Sequence, residues 1–327
     1  MALTASRRRM LLGAAAGTLA MPALAQPAAR MVIGTGVDPS FGPFFIGVEG
    51  GFFQRHGIAA ELRTFSSGSA AVPSLISRDT VAVFAAPAAG VLNNRVSADV
   101  VFVAHAGTVS DIYDVVGGPG ITTLQDLRGK RVGFGFSTAT ELFLLEVLKT
   151  ANMTRADLRP VNLQPPEGLV ALQRRDVDAV STFKPWTGRI AGALPGTTVV
   201  KGLEWYLLHQ HIMMNKGWAM ENRATAVRFL AALREIMAFT QANPQEASAM
   251  VGRRLRMETA AVVPLLTANT FGLQWSDESM RLMKREVEAQ IGFGNVQAPF
   301  DYSRLIWPDL LRELDASLVT FSALPVS

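Results

Sequence analysis

The chain has 327 residues, 49% of them hydrophobic and 18% charged, and no cysteine. Disulfides and thiol chemistry are excluded, so the fold must rest on its own apolar core, which a chain of this length builds more readily as two lobes than as one. The formal charge of +4 includes Arg7, Arg8 and Arg9; without them the excess is about +1, and no dense Lys/Arg stripe with interleaved aromatics marks a nucleic-acid partner.

Residues 1–25 read as an export address. Ser6-Arg7-Arg8-Arg9-Met10-Leu11 fits the twin-arginine pattern, and a weakly apolar stretch follows, ending in the small-residue cleavage site Ala23-Leu24-Ala25. That stretch is shorter than the roughly 20 apolar residues of a membrane span, and Pro22 interrupts it. Gln26, not a cysteine, follows the cleavage site, which argues against a lipid anchor. The expected mature protein is periplasmic, with its signal peptide removed near Ala25.

Downstream, β-like and helical runs alternate. Residues 31–33 form a strand, 34–42 a loop and 44–52 a helix. Residues 60–65 alternate with a period of two, as a half-buried strand does. Ser66-Ser67-Gly68-Ser69 is a turn or helix start. Residues 81–85 are a buried strand, Pro87 opens a helix through residue 93, and 100–104 are a further buried strand. Gly117-Gly118-Pro119-Gly120 is a breaker cluster that suggests a lobe boundary. The rhythm then restarts: a strand over 131–135, and a helix over 138–151 with Thr138 and Glu141 spaced as a capping box. A second β-α-β unit follows over 161–163, 167–175 and 179–182. After Trp205 the pattern is helical, with Val227, Leu230, Leu233 and Met237 on one face, and Asn243-Pro244 opening the next helix. Strand–helix alternation with short links implies an α/β fold with parallel pairing and helices on both faces.

Three segments carry a family resemblance. They are Gly50-Gly51-Phe52-Phe53-Gln54-Arg55-His56-Gly57-Ile58; Phe65-Ser66-Ser67-Gly68-Ser69 through residues 81–87; and Leu124-Gln125-Asp126-Leu127-Arg128-Gly129-Lys130-Arg131-Val132-Gly133. Residues 175–180 followed by Lys184-Pro185-Trp186 add a weaker fourth. In this order the chain resembles the type II periplasmic binding proteins of the sulfonate/taurine/nitrate group, which includes thiamine-pyrimidine binders.

The resemblance implies two lobes, each a mixed β-sheet flanked by helices, joined by two crossovers. Residues 31–110 with 215–327 would form lobe one and 111–208 lobe two, with hinges near 110–117 and 207–214. It also places two helix starts in the interlobe cleft, at Ser67-Gly68-Ser69 and at Ser137-Thr138-Ala139-Thr140. Helix N-termini present unpaired N–H groups and a partial positive charge, so they hold polar or anionic groups; ordinary N-capping is the alternative use of the same residues. Glu141, in the first turn of the second helix, offsets part of that field and favours a zwitterion or neutral heterocycle over a simple anion. Apolar walls would come from Phe41 and Phe44, Pro87, Phe183 and Trp186, aromatics that can sandwich a ring or alkyl chain; core packing is the alternative for each.

His209 and His211 share one face of a strand, but with no cysteine and no clustered third ligand a metal is not expected, and satisfied imidazoles are the better reading. Gly133-Phe134-Gly135 lacks the rest of a phosphate loop. The expected function is binding without chemistry or cofactor. A monomer would close on a small organic ligand, sulfonate- or taurine-like or heterocyclic, and deliver it to an ABC permease in the inner membrane. A periplasmic ligand-sensing subunit is one alternative. An enzyme related to thiamine-pyrimidine synthases is another, which the absence of cysteine disfavours.

Overall fold

The computed structural model describes residues 28–201, 203 and 206–326; residues 1–25, expected to be an export address, and Trp205 lie outside them. The described strands are β1 (Ala29–Thr35), β2 (Ile58–Thr64), β3 (Ala82–Ala85), β4 (Val100–Val109), β5 (Tyr113–Gly117), β6 (Arg131–Phe134), β7 (Arg159–Asn162), β8 (Ala179–Phe183), β9 (Thr198–Lys201), β10 (Leu208–Asn215) and β11 (Asn269–Gln274). They form a six-stranded sheet in the order β11-β4-β10-β3-β1-β2 and a five-stranded sheet in the order β7-β6-β8-β5-β9.

The βαβ segments pair in parallel as the alternation implies: β1 with β2 and β3, and β6 with β7 and β8. The remaining strands make both sheets mixed. β10 runs antiparallel between β3 and β4, β11 is antiparallel to β4, and β5 is antiparallel to both β8 and β9. Burial follows position. β4, central and covered on both faces, is buried along nearly its whole length, whereas the edge strand β2 alternates, which is the period-two pattern of its sequence.

Three expectations are corrected. Gly117-Gly118-Pro119-Gly120 does not separate the sheets: β5 already belongs to the second sheet, so the chain changes sheet between Val109 and Tyr113, and the glycines turn it from β5 toward β6. The segment after Trp205 is not purely helical, because β10 and β11 return to the first sheet before and after the helices Arg223–Ala242 and Pro244–Leu255. The histidines are buried but not satisfied. His105 on β4 and His209 and His211 on β10 pack as a cluster, with His211 5.2 Å from each of the other two rings. Neither nitrogen of His105 or His211, nor Nδ1 of His209, has a hydrogen-bond partner among the described residues. Burial holds His105 down at about 4 and His209 at about 3, so both are neutral near pH 7. No group of three or more His, Cys, Asp or Glu among the described residues is arranged to hold a metal.

The first sheet is sealed by the predicted apolar face of helix Arg223–Ala242, where Leu230, Leu233 and Met237 are buried with Phe229. Trp275, fully buried, donates from Nε1 to the Val103 carbonyl at 3.0 Å and ties the C-terminal part of the chain to β4.

Close packing also sets the first helix start. Gly68 lies against β3 so tightly that an added Cβ would stand 2.8 Å from the Phe84 carbonyl oxygen and 3.1 Å from the Ala85 Cα, both backbone atoms with little room to give. Gly68→Ala is therefore expected to destabilise the fold by roughly 1–3 kcal/mol. Gly188→Ala, where a Cβ meets nothing within 4 Å inside helix Trp186–Ala193, should be neutral or stabilising. Denaturant titration of the two variants checks this; equal midpoints would contradict the close approach.

Candidate ligand-binding site

The strands of both sheets end at one cavity, the crevice position expected of open α/β sheets. From the first sheet come Asp38, Ser40 and Phe41 after β1, Ser67, Gly68 and Ser69 after β2, and Ala85 and Ala86 at the end of β3. From the second come Ile112 and Tyr113 at the start of β5, Gly135 and Thr138 to Thr140 after β6, Gln164 and Pro165 after β7, and Phe183 at the end of β8. Leu208 and Gln210 of β10 complete it. The cavity contains about 600 Å³ of unfilled space, counting the part open to solvent.

Eight of the twelve residues singled out from the sequence line this cavity: Phe41, Ser67, Gly68, Ser69, Thr138, Ala139, Thr140 and Phe183. Four do not. Phe44 is 1% exposed and packs against Phe84 and Phe229, with ring centres 5.9 and 6.2 Å away; it is a core residue of helix Gly42–Glu49. Pro87 is buried at the first position of helix Pro87–Val96, one step beyond the lining Ala86. Ser137, at a left-handed φ of 57°, turns its hydroxyl toward Asn295, whose Nδ2 donates to it at 3.0 Å. Trp186 opens helix Trp186–Ala193 half-buried, with the Arg189 guanidinium over its ring at 4.6 Å.

The two helix starts are unequal. Thr138 caps the twelve-residue helix Ala139–Thr150, accepting from the Thr140 amide at 3.3 Å and donating to the Gly135 carbonyl at 2.7 Å. Ser67 caps only the four-residue helix Gly68–Ala71, accepting from the Ala70 amide at 3.2 Å; Pro73 falls in the 3-10 turn that follows. The positive field of a single turn is small, so the Thr138 end is the stronger anion-facing element. Glu141 does not oppose it as a capping box would. Its carboxylate is turned away from the cavity, accepting from the Ser137 amide at 2.5 Å and from Arg155 Nε at 2.8 Å.

The acidic group in the cavity is Asp38, which the sequence reading left inside a loop. Its Oδ1 caps the turn Pro39–Phe41, accepting from the Ser40 amide at 3.0 Å and the Ser40 hydroxyl at 2.5 Å. Asp38 is the one charged side chain among the described residues lining the cavity. Burial pushes its carboxyl up to about 6, against the stabilising pull of Ser40 and of the Arg189 charge. Tyr113 stacks on Phe143 at 5.3 Å and meets Phe183 edge-on at 6.2 Å, which builds the aromatic wall on the second-sheet side. Gln210, also missed, is 3% exposed. Its only sequence signal is a polar residue within an apolar strand.

Two mixed α/β sheets flanked by helices, with strand ends meeting at a shared cleft, constitute the fold of the periplasmic binding proteins. The SsuA aliphatic sulphonate-binding protein of Escherichia coli has it, with a TM-score of 0.71 at 19% identity over 86% of this chain and 98% of that one. So does the alkanesulfonate-binding protein SsuA of Xanthomonas axonopodis pv. citri, solved bound to MOPS, at 0.72 and 16% over 90% and 99%. The desulfurization enzyme DSZB shares the fold as well, at 0.67 and 14% over 88% and 99%. The chain belongs to the NMT1/THI5-like family, whose model matches residues 38–247. Among curated relatives, a Brucella abortus protein described as a binding protein is 23% identical over 270 residues, 78% of this chain and 83% of its own. The taurine-binding periplasmic protein of Escherichia coli K12 is 29% identical over 136 residues, 41% of this chain and 42% of its own.

The displaced titration of Asp38 makes a signed prediction. A carboxyl held higher in the fold than in the unfolded chain contributes stability below its ordinary 3.8, and that contribution is lost as pH rises through about 6. Asp38→Asn, which keeps an oxygen for Ser40, should therefore gain stability relative to the native protein as pH rises across this window. Melting curves of both proteins from acid to neutral pH check the sign; a gap that is constant or runs the other way would contradict it.

Proposed function

We propose that this chain is the substrate-binding protein of an ABC importer: an exported, periplasmic receptor that captures a small organic solute between two lobes and delivers it to an inner-membrane permease without chemistry. The observation that carries this reading is the cavity lined by strand ends of both sheets. A solute held there touches both halves and favours their closed arrangement, which a permease can distinguish from the open one. The names of the relatives support it, as does the twin-arginine pattern of residues 6–11.

In this reading residues 31–110 with 215–327 form one lobe and 111–208 the other, with hinges near 110–117 and 207–214. Lys184 lies at the first of these, where its Nζ holds the Asp111 carbonyl at 2.6 Å and carboxylate at 2.8 Å. The ligand is gripped by backbone amides and hydroxyls around Thr138 and Ser69 and enclosed by Phe41, Tyr113 and Phe183. Asp38 and Tyr113 are the cavity's titratable side chains among the described residues, and both are used for recognition and packing.

A thermal-shift screen over taurine, alkane- and arylsulfonates, carboxylates, nitrate, riboflavin and pyrimidines tests the reading. A matching solute at about a hundred times its Kd should stabilise the protein by roughly 2.7 kcal/mol, and be recovered unchanged. Phe183→Ala should weaken that solute's binding while leaving the fold intact. Phe44→Ala should instead cost roughly 3–5 kcal/mol of stability. Conversion of a bound compound into product would overturn the binding-only reading.

A further inference from the structure

The cavity's electrostatics do not suit a simple anion. No Lys or Arg is among its described lining residues, and its one charged side chain is a carboxylate. Asp38 is buried, with Oδ1 fixed by both donors of Ser40, and no ion pair to it is formed among the described residues. Two cations border the region, and both are engaged elsewhere. Arg189, whose charge bears on Asp38 from the second sheet's side, lies over the Trp186 ring. Lys184 is held by Asp111. A second acceptor shares the cavity: the buried Gln210 Oε1 has no hydrogen-bond partner among the described residues. Asp38, Ser40 and Ile112 also line an adjoining cleft bounded by Pro264 and Leu265.

A buried carboxylate without an opposing charge is costly, and a cation that donates to it removes that cost while making a charge-assisted hydrogen bond. We infer that Asp38, with Gln210 lining the same cavity, is a specificity-determining residue that selects solutes carrying a positively charged nitrogen, an ammonium or amidinium group. The inference rests on the solute-binding reading above and deepens it. An anionic group on the same solute would lie toward the Thr138 helix start, which makes zwitterions the natural doubly anchored ligands. The upward push on the Asp38 carboxyl agrees with this, because a bound cation offsets the desolvation that causes it.

The test uses the full mature chain and matched probes that differ in the cationic nitrogen: taurine against ethanesulfonate, β-alanine against propionate, and benzamidine against benzamide. Calorimetry should show the cationic member of at least one pair binding about tenfold tighter or better, a gap that falls to about threefold or less in Asp38→Asn. The native-protein comparison stands whether or not the variant folds, and Gln210→Met should narrow the same gap without changing charge. Equal binding within every pair, or tighter binding of the members without the cation, overturns the inference and leaves the solute-binding reading in place. So does a gap that Asp38→Asn leaves unchanged. If no probe of any pair binds, the inference is overturned, and the solute-binding reading rests on the wider thermal-shift screen.

Discussion

The insertion of β10 between β3 and β4 is the constraint on which the arrangement depends. A chain that leaves the first sheet after β4 builds β5 to β9 elsewhere, and must return to the middle of the sheet it left, antiparallel to both neighbours. That return links the halves a second time, so they can move relative to one another only about a paired connection. It also carries Leu208 and Gln210 to the cavity and buries His209 and His211 in the sheet behind it. Register shifts at Gln210/His211 and Ile212/Met213 let one strand serve both ends.

Parallel pairing elsewhere supplies the rest of the site. Because β1 and β3 run together in one sheet and β6, β7 and β8 in the other, their C-terminal ends and the turns that follow converge, and backbone amides at the start of helix Ala139–Thr150 face the same space. Charge is distributed economically around it. Glu141 is neutralised by Arg155 on the outside of the helix start, leaving the amide field open, while Asp38 stands alone within. The result is a cavity with one weakly positive end and one carboxylate, walled by Tyr113, Phe183 and Phe41. Contacts from the C-terminal part of the chain reach across to the second half: Asn295 to Ser137 at 3.0 Å, and Arg285 to Glu146 at 3.8 Å. These tie the outer edges of the halves together beside the cleft.

Much of this was legible in the amino-acid sequence, and the exceptions have physical reasons. Strands such as β3 and β4 are unbroken apolar runs, and helix Ala139–Thr150 has a polar cap followed by a strongly apolar stretch, so local pattern and tertiary role agree. β5 was missed because Asp114 interrupts its apolar run and Gly117 ends it, and β11 because Asn269-Thr270 and Gly272 dilute its pattern. Their pairing is dictated by neighbours far away in the chain. Phe41 and Phe44 look alike in a Gly/Pro-rich loop, yet one helical turn separates cavity from core. Asp38 lies in the segment expected only as a loop; that it caps a turn and lines the cavity depends on the local fold and on residues of the opposite sheet. Thr138 is the helix cap that its sequence suggests, but the capping box with Glu141 does not form: the Thr138 hydroxyl accepts from the Thr140 amide, and the Glu141 carboxylate reaches the Ser137 amide.

The central claim is that two halves close on a solute held between their strand ends. The absence of native cysteine permits site-specific spin labels at Val96→Cys, on helix Pro87–Val96 of the first half, and Val170→Cys, on helix Gly168–Gln173 of the second; these positions are 77% and 44% exposed. Pulsed dipolar spectroscopy between them, with and without a saturating solute, reads closure directly. The account predicts that the distance distribution shifts and narrows on binding. A distribution unchanged by a solute shown to occupy the cavity would contradict it.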